Sequence, residues 1–159
     1  MAHMETSTET PWLTPAQQQI WRSFLGGTIV LNERLDRDLR SAHGLSMPEY
    51  EILVRLSEAP DRSIRMAELA AAVSHSRSRV THTIARLERE GLVVRGQCSE
   101  DGRGVSAVMT DAGFKLLETA AHTHVRGVHA YLVENATPEE FEVLGNIMQR
   151  VVTQLGGQC

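Results

Sequence analysis

Ser74-His75-Ser76-Arg77-Ser78-Arg79-Val80-Thr81-His82-Thr83-Ile84-Ala85-Arg86-Leu87-Glu88-Arg89-Glu90 is the stretch on which the fold turns. Val80, Ile84 and Leu87 recur at i, i+4 and i+7, which is the inward stripe of an α-helix. The opposite face carries Arg77, Ser78, Thr81, His82, Arg86 and Arg89. Ser74 or Ser76 can cap the start, because a short hydroxyl accepts from first-turn N–H groups. Gly91 stands where a left-handed residue closes a helix. Immediately upstream, Met66–Val73 reads as a brief helix with Met66, Leu69 and Ala70 inward, ended by the tight break Val73-Ser74-His75-Ser76. Downstream, Leu92-Val93-Val94-Arg95 and Val105-Ser106-Ala107-Val108 read as strands around Ser99–Gly104, where Asp101-Gly102 is a hairpin signal. Two short helices across a tight turn, followed by a hairpin, predict a winged helix-turn-helix.

The flanks read as long helices. Thr14-Pro15 is an N-cap with proline at the first helical position. Ile20, Phe24, Val30, Leu31, Leu35 and Leu39 then follow near helical spacing up to His43-Gly44. Ser46-Met47-Pro48-Glu49 is a capping box opening a helix with Tyr50, Leu53, Val54 and Leu56, which stops before Ala59-Pro60. Ser63-Ile64-Arg65 is a short extended piece. Thr110-Asp111 caps a second long helix to about Glu134, and Thr137-Pro138-Glu139-Glu140 opens a last helix to about Leu155. The expected class is mainly α with a small β-hairpin (α+β). It divides into 1–13, a tag remnant (Met1–Met4) and disordered arm; 14–44, an N-terminal dimerisation helix; 45–109, the winged helix-turn-helix; and 110–159, C-terminal dimerisation helices. The dimer follows from area. Ile20, Phe24, Leu116, Leu117, Val128, Tyr131, Leu132, Phe141, Leu144, Ile147, Met148, Val151 and Val152 are more apolar positions than so small a reading head can bury.

Composition removes other classes. The 159 residues suit one domain, and 42% hydrophobic with 23% charged residues excludes a disordered chain. No apolar run approaches the roughly 18 residues of a membrane span, so no membrane partner is expected. The two cysteines, Cys98 and Cys159, are too few for a disulfide framework, which points to a reducing, cytoplasmic setting. The net charge of -4 is unevenly spread. Ser63–Met109 holds seven Arg and five acidic residues, a balance of +2 against -6 elsewhere, and the only lysine of the chain is Lys115. Arginine's planar fork suits phosphate and guanine.

The runs Met66-Ala67-Glu68-Leu69-Ala70, Ser78-Arg79-Val80-Thr81 and Leu87-Glu88-Arg89-Glu90-Gly91-Leu92-Val93 resemble the multiple-antibiotic-resistance regulator (MarR) family. Asp101-Gly102-Arg103-Gly104 followed by Met109-Thr110-Asp111-Ala112-Gly113 is similar to that family's wing and next helix. Each run alone is weak; their order and spacing over roughly Thr14 to Leu155 are specific. The resemblance implies a homodimeric bacterial transcription regulator, usually a repressor, that small molecules or oxidation release from DNA. It also implies an effector pocket between the dimer helices and the reading head. By position that pocket draws on Phe24, Arg34, His43, Tyr50 and Leu53, each equally readable as a core or junction residue. His82 departs from the pattern, where an arginine often follows the threonine.

The expected partner is double-stranded DNA, contacted through Ser74, Ser76, Arg77, Ser78, Arg79, Thr81, His82, Arg86, Arg95, Asp101 and Arg103. The helix enters the major groove, where every base pair shows a distinct donor and acceptor pattern. Arg103 probes the minor groove from the wing tip, and Arg95 reaches a phosphate. Asp101 either pairs with a wing arginine or serves the turn. A two-fold dimer sets the reading helices about 34 Å apart and calls for a palindromic site. Other classes fit less well. His122, His124 and His129 share a helix, but i to i+2 spacing points the first two apart, and no HExxH or paired CxxC occurs, so no metal or cofactor is expected. Cys98, near Arg95 and Arg103, could act as a thiol switch with a cysteine of a second subunit or a small thiol. No phosphate loop or nucleophile elbow marks an enzyme. A protein-binding winged helix would have no use for five arginines along one surface.

Overall fold

The computed structural model describes residues 10–72, 77–97 and 104–156. Its elements run α1 (Pro15–His43), α2 (Met47–Glu58), β1 (Ser63–Arg65), α3 (Met66–Ala72), α4 (Arg77–Arg89), β2 (Val93–Gln97), β3 (Val105–Met109), α5 (Asp111–Tyr131) and α6 (Pro138–Gln154). Four helices begin at a hydroxyl residue that accepts a first-turn N–H: Thr14, Ser46, Thr110 and Thr137. In three of them the residue three places on, Gln17, Glu49 or Glu140, closes a capping box. Each such cap contributes about 1 kcal/mol. Gly44 ends α1 at φ 68, a conformation that costs glycine no Cβ clash, and the chain turns straight into α2.

α3 and α4 form the helix-turn-helix. Val80, Ile84 and Leu87 are 1%, 0% and 1% exposed, so the stripe expected from the sequence is the buried one. They pack with Leu39, Leu45, Ile52, Leu53, Leu56, Leu69, Val93, Ala107 and Met109 in one core. The expected hairpin is the larger part of a three-stranded antiparallel sheet in the order β1-β3-β2. The short extended piece supplies its third strand, with Ile64 opposite Ala107, while Arg95 faces Ala107 from the other side.

Several boundaries differ from the sequence reading: α4 ends at Arg89, β2 runs on to Gln97 and β3 to Met109, and two further shifts have a visible cause. β2 begins at Val93 because Leu92 still belongs to the exit from α4. Its N–H returns to the Leu87 carbonyl at 2.9 Å and that of Gly91 to Glu88 at 3.0 Å, the paired bonds of a Schellman turn. α5 stops at Tyr131 instead of running to Glu134. The Asn135 amide donates to the Tyr131 carbonyl at 3.1 Å, and Val133–Asn135 closes as a 3₁₀ turn. The start of α4 expected at Ser74 or Ser76 lies outside the described residues.

The long helices are poorly covered within one chain. Only Leu35 and Leu39 of α1 are buried, and α6 has no buried residue. Ile20, Trp21, Ile29, Val30, Val143, Ile147 and Val151 are all exposed. Among the thirteen surplus apolar positions named from the sequence, Leu117 alone is buried, and Leu116 packs partly buried against the core.

His124, on α5, sets its ring 4.7 Å from that of Tyr50. Its Nδ1 is buried and has no hydrogen-bond partner among the described residues. Burial holds the imidazole below its ordinary value by disfavouring the charged form. The unfolded chain therefore takes up this proton first as pH falls. Stability is complete above the usual imidazole range, about 6.5, and is lost as pH drops from there to the folded value. Thermal melts should fall between neutral and mildly acidic pH, and His124→Leu should flatten that fall. An unchanged pH dependence in the variant would remove His124 as its source.

Candidate nucleic-acid interface

The buried stripe of α4 orients the rest of the helix. With Val80, Ile84 and Leu87 facing the core, Ser78, Arg79, Thr81, His82 and Arg89 are exposed. These short polar and long basic groups stand on a helix that the domain holds rigidly by its opposite face. The Thr83 hydroxyl donates back to the Arg79 carbonyl at 2.9 Å. Of Arg77 only the backbone is described, at the first position of α4. Ser74, Ser76, Asp101, Arg103 and Cys98 lie outside the described residues.

Two arginines expected at the DNA, Arg95 and Arg86, are engaged within the chain. Arg95 on β2 pairs with Glu88 of α4, Nε to Oε2 at 2.9 Å, and ties the strand to that helix. Both side chains are solvated, so the pair is worth no more than about 1 kcal/mol. Arg86, two turns along the same face as Arg79, reaches sideways to other elements of the chain. Its Nε meets Oε1 of Glu49 at 3.0 Å, and a terminal nitrogen donates to the Gly44 carbonyl at 3.4 Å. Glu49 is only 3% exposed, and its other oxygen accepts the Ser46 N–H at 2.7 Å and the Ser46 hydroxyl at 2.8 Å. The sequence showed Glu49 only as part of a capping box; nothing local marks its bond to a residue 37 places on.

Thr110 makes a second unforeseen junction. Its hydroxyl donates to the Gly91 carbonyl at 2.7 Å and its N–H to the Leu92 carbonyl at 3.0 Å. The exit of α4 and the start of the wing are thereby fastened to the first turn of α5.

The five residues assigned to an effector pocket do not gather into one within a single chain. Phe24 stacks on Trp21 with ring centroids 5.9 Å apart. Arg34 pairs with Asp38 at 3.1 Å and lies over the Tyr131 ring, and Tyr131 in turn donates to Asp38 at 2.8 Å. Leu53 is fully buried in the core. His43 and Tyr50 alone converge, meeting α5 at neighbouring residues, His43 on Thr123 at 2.8 Å and Tyr50 on His124. The physical reason is helix length. Phe24 and His43 share α1 at 19 residues' separation, roughly 28 Å at 1.5 Å per residue.

The three histidines of α5 go different ways. His124 packs on Tyr50, His129 meets Glu134 at 3.0 Å, and His122 is exposed. Among the described residues no three His, Cys, Asp or Glu side chains are placed to hold a metal, and no helix is long and apolar enough to cross a membrane.

The model of the MarR family matches residues 45–105, from just before α2 to the first residue of β3. The HTH-type transcriptional repressor YetL of Bacillus subtilis is 30% identical over 115 residues, covering 70% of this chain and 68% of that protein. Sco3205, a MarR family transcriptional regulator of Streptomyces coelicolor solved in complex with DNA, superposes with a TM-score of 0.86 at 40% identity, over 91% of this chain and 94% of that one. AbsC, another MarR family transcriptional regulator of Streptomyces coelicolor, gives a TM-score of 0.86 at 38% identity, over 94% of this chain and 100% of its own.

Proposed function

This chain belongs to the MarR family of DNA-binding transcriptional regulators, and on that premise we propose that it represses transcription from a palindromic operator as a homodimer. α4 lies in the major groove, with Ser78, Arg79, Thr81 and His82 toward the bases and phosphates, joined by Ser74, Ser76 and Arg77 at its start. The wing carries Asp101 and Arg103 to the minor groove. Residues 14–44 and 110–159 supply the dimer contacts, and a small molecule bound near them releases the DNA. The protein works in the cytoplasm and catalyses no reaction.

The observation that carries this reading is the exposed Ser78, Arg79, Thr81 and His82 face on a helix whose other side is locked into the core. The bare apolar faces of α1 and α6 support the dimer. Titration of Arg79→Ala on a duplex enriched from a randomised pool by the unmodified chain tests it. The expected loss is about 1–3 kcal/mol, the size of a good bidentate base contact. An equal loss on scrambled duplex would make Arg79 a phosphate contact, and no loss on either would take α4 out of the groove.

A further inference from the structure

Arg86 of α4, its side chain 45% exposed, engages groups of two other elements. It bridges three elements: α4 itself, the Gly44 turn that ends α1, and Glu49 in the first turn of α2. Glu49 has one oxygen filled twice by Ser46, so Oε1 is the one that Arg86 satisfies, and the carboxylate is almost entirely out of water. A buried carboxylate needs both charge compensation and full hydrogen bonding. Arg86 supplies the compensation from a direction that fixes α4.

The other side of this joint is also fastened. Asp36 of α1 accepts the Met47 N–H at 2.7 Å, one of the orphan donors of α2, and also holds Arg40 at 2.6 Å. His43, one residue before the Gly44 turn, is held to Thr123 of α5 at 2.8 Å. The end of α1 is thereby set against both α2 and α5. The apolar stripe of α4 seats it on the core but constrains rotation about its own axis only through packing. A charge-assisted pair has direction as well as energy. The Arg86 pair and the Gly44 carbonyl therefore reference the pitch of α4 to the long-helix bundle.

We propose that Arg86 and Glu49 are positioning residues for operator discrimination: together they set the angle of the recognition helix, and Arg86 reads neither base nor phosphate. This rests on the reading of α4 as the helix that enters the groove. A helix displaced by a fraction of an ångström still meets phosphates, whereas base-edge geometry is lost. Discrimination is what the pair controls.

The test measures affinity for the enriched duplex and for a scrambled duplex of equal length across a salt series. It uses the full chain and Glu49→Gln, Arg86→Gln and the double variant. Glutamine at position 49 retains an acceptor for the Ser46 cap. Each single variant should lose about tenfold in the ratio of enriched to scrambled binding, and the double variant should be no worse than either, as expected of one coupled unit. The salt slope should stay that of the unmodified chain. If Arg86 touched a phosphate, its removal would lower the slope by about 0.9 while Glu49→Gln bound normally. That pattern overturns the proposal, as do additive losses or an unchanged ratio in both single variants. Should Arg86→Gln fail to fold for want of a partner to Glu49, the double variant leaves no unpaired buried charge and carries the same ratio test. An unmodified chain that enriches no duplex, or an Arg79→Ala that costs nothing on the enriched one, overturns the reading of α4 itself. Normal losses for Arg79→Ala beside intact discrimination in Glu49→Gln overturn the positioning role alone.

Discussion

Ile147→Glu combined with Val151→Glu is expected to turn the proposed dimer into a monomer and to weaken binding to a palindromic duplex by about 10²–10⁴-fold. Ile147 and Val151 lie four residues apart on one face of α6, 41% and 43% exposed in the isolated chain. α6 buries none of its residues and packs extensively on no other element of the described chain, though it is capped at Thr137 and amphipathic. A free helix of this length is marginal in water. Its order calls for an apolar partner, and the bare faces of α1 and α6 offer one in a second copy. Two buried carboxylates facing that copy would each lose their solvation without a cation to compensate. The DNA effect follows from linkage of two reading heads. In a dimer the second half-site is bound at an effective concentration set by the first, and a monomer forfeits that gain. Light scattering should report the change in mass and titration the change in affinity. A double variant that remains dimeric places the interface elsewhere, and an unmodified chain that is monomeric at working concentration removes the dimer altogether.

Features carried by neighbours in sequence were legible without the structure. Thr14 with Pro15, Ser46 with Glu49 and Thr137 with Glu140 mark three helix starts within at most three residues each. The Val80, Ile84 and Leu87 stripe shows in the period alone, and with it the exposed Ser78, Arg79, Thr81 and His82 face. Side chains reaching across the fold were not legible. Arg86 belongs by period to the outer face, yet its long stem swings to Glu49, which periodicity cannot express. Arg95 was assigned a phosphate but finds Glu88, a residue on another element that the hairpin brings alongside. The end of α5 was misplaced for a similar reason, because the Asn135 side chain competes for the last carbonyls from beyond the helix. Within one chain the effector candidates stay apart, because a family position says which helix a residue is on and nothing of how far apart two turns of a 29-residue helix lie. Family motifs reached the right fold since order and spacing are topological facts; individual contacts depend on rotamers.

Gly113→Ala is expected to be the most damaging single-methyl change in the described fold. Alanine is normally the better helix former by about 1 kcal/mol, so propensity alone predicts stabilisation in α5. Packing reverses the sign. A Cβ at Gly113 would stand 2.2 Å from the Leu92 carbonyl oxygen and 2.9 Å from Met109 Cγ. The methionine can swing aside, but the carbonyl cannot. It belongs to the Schellman exit of α4 and already accepts the Thr110 N–H at 3.0 Å. Thr110 also accepts the Gly113 N–H at 3.1 Å and donates to Gly91, so moving α5 outward breaks the seam between recognition helix, wing and long helix. Overpacking against fixed backbone should cost about 3 kcal/mol or more, a fall in Tm of roughly 6–12 °C for a chain of this size. Operator binding should weaken with it, since Gly91 and Leu92 join α4 to the wing. Gly127 provides the internal comparison. A Cβ there meets the end of the Leu35 side chain at 2.7 Å, which can rotate away, so Gly127→Ala should cost clearly less. Calorimetric melts of the two variants beside the unmodified chain decide the matter. If Gly113→Ala melts with the unmodified chain, or if Gly127→Ala is the worse of the two, the close approach of α5 to Leu92 is not what holds the wing in place.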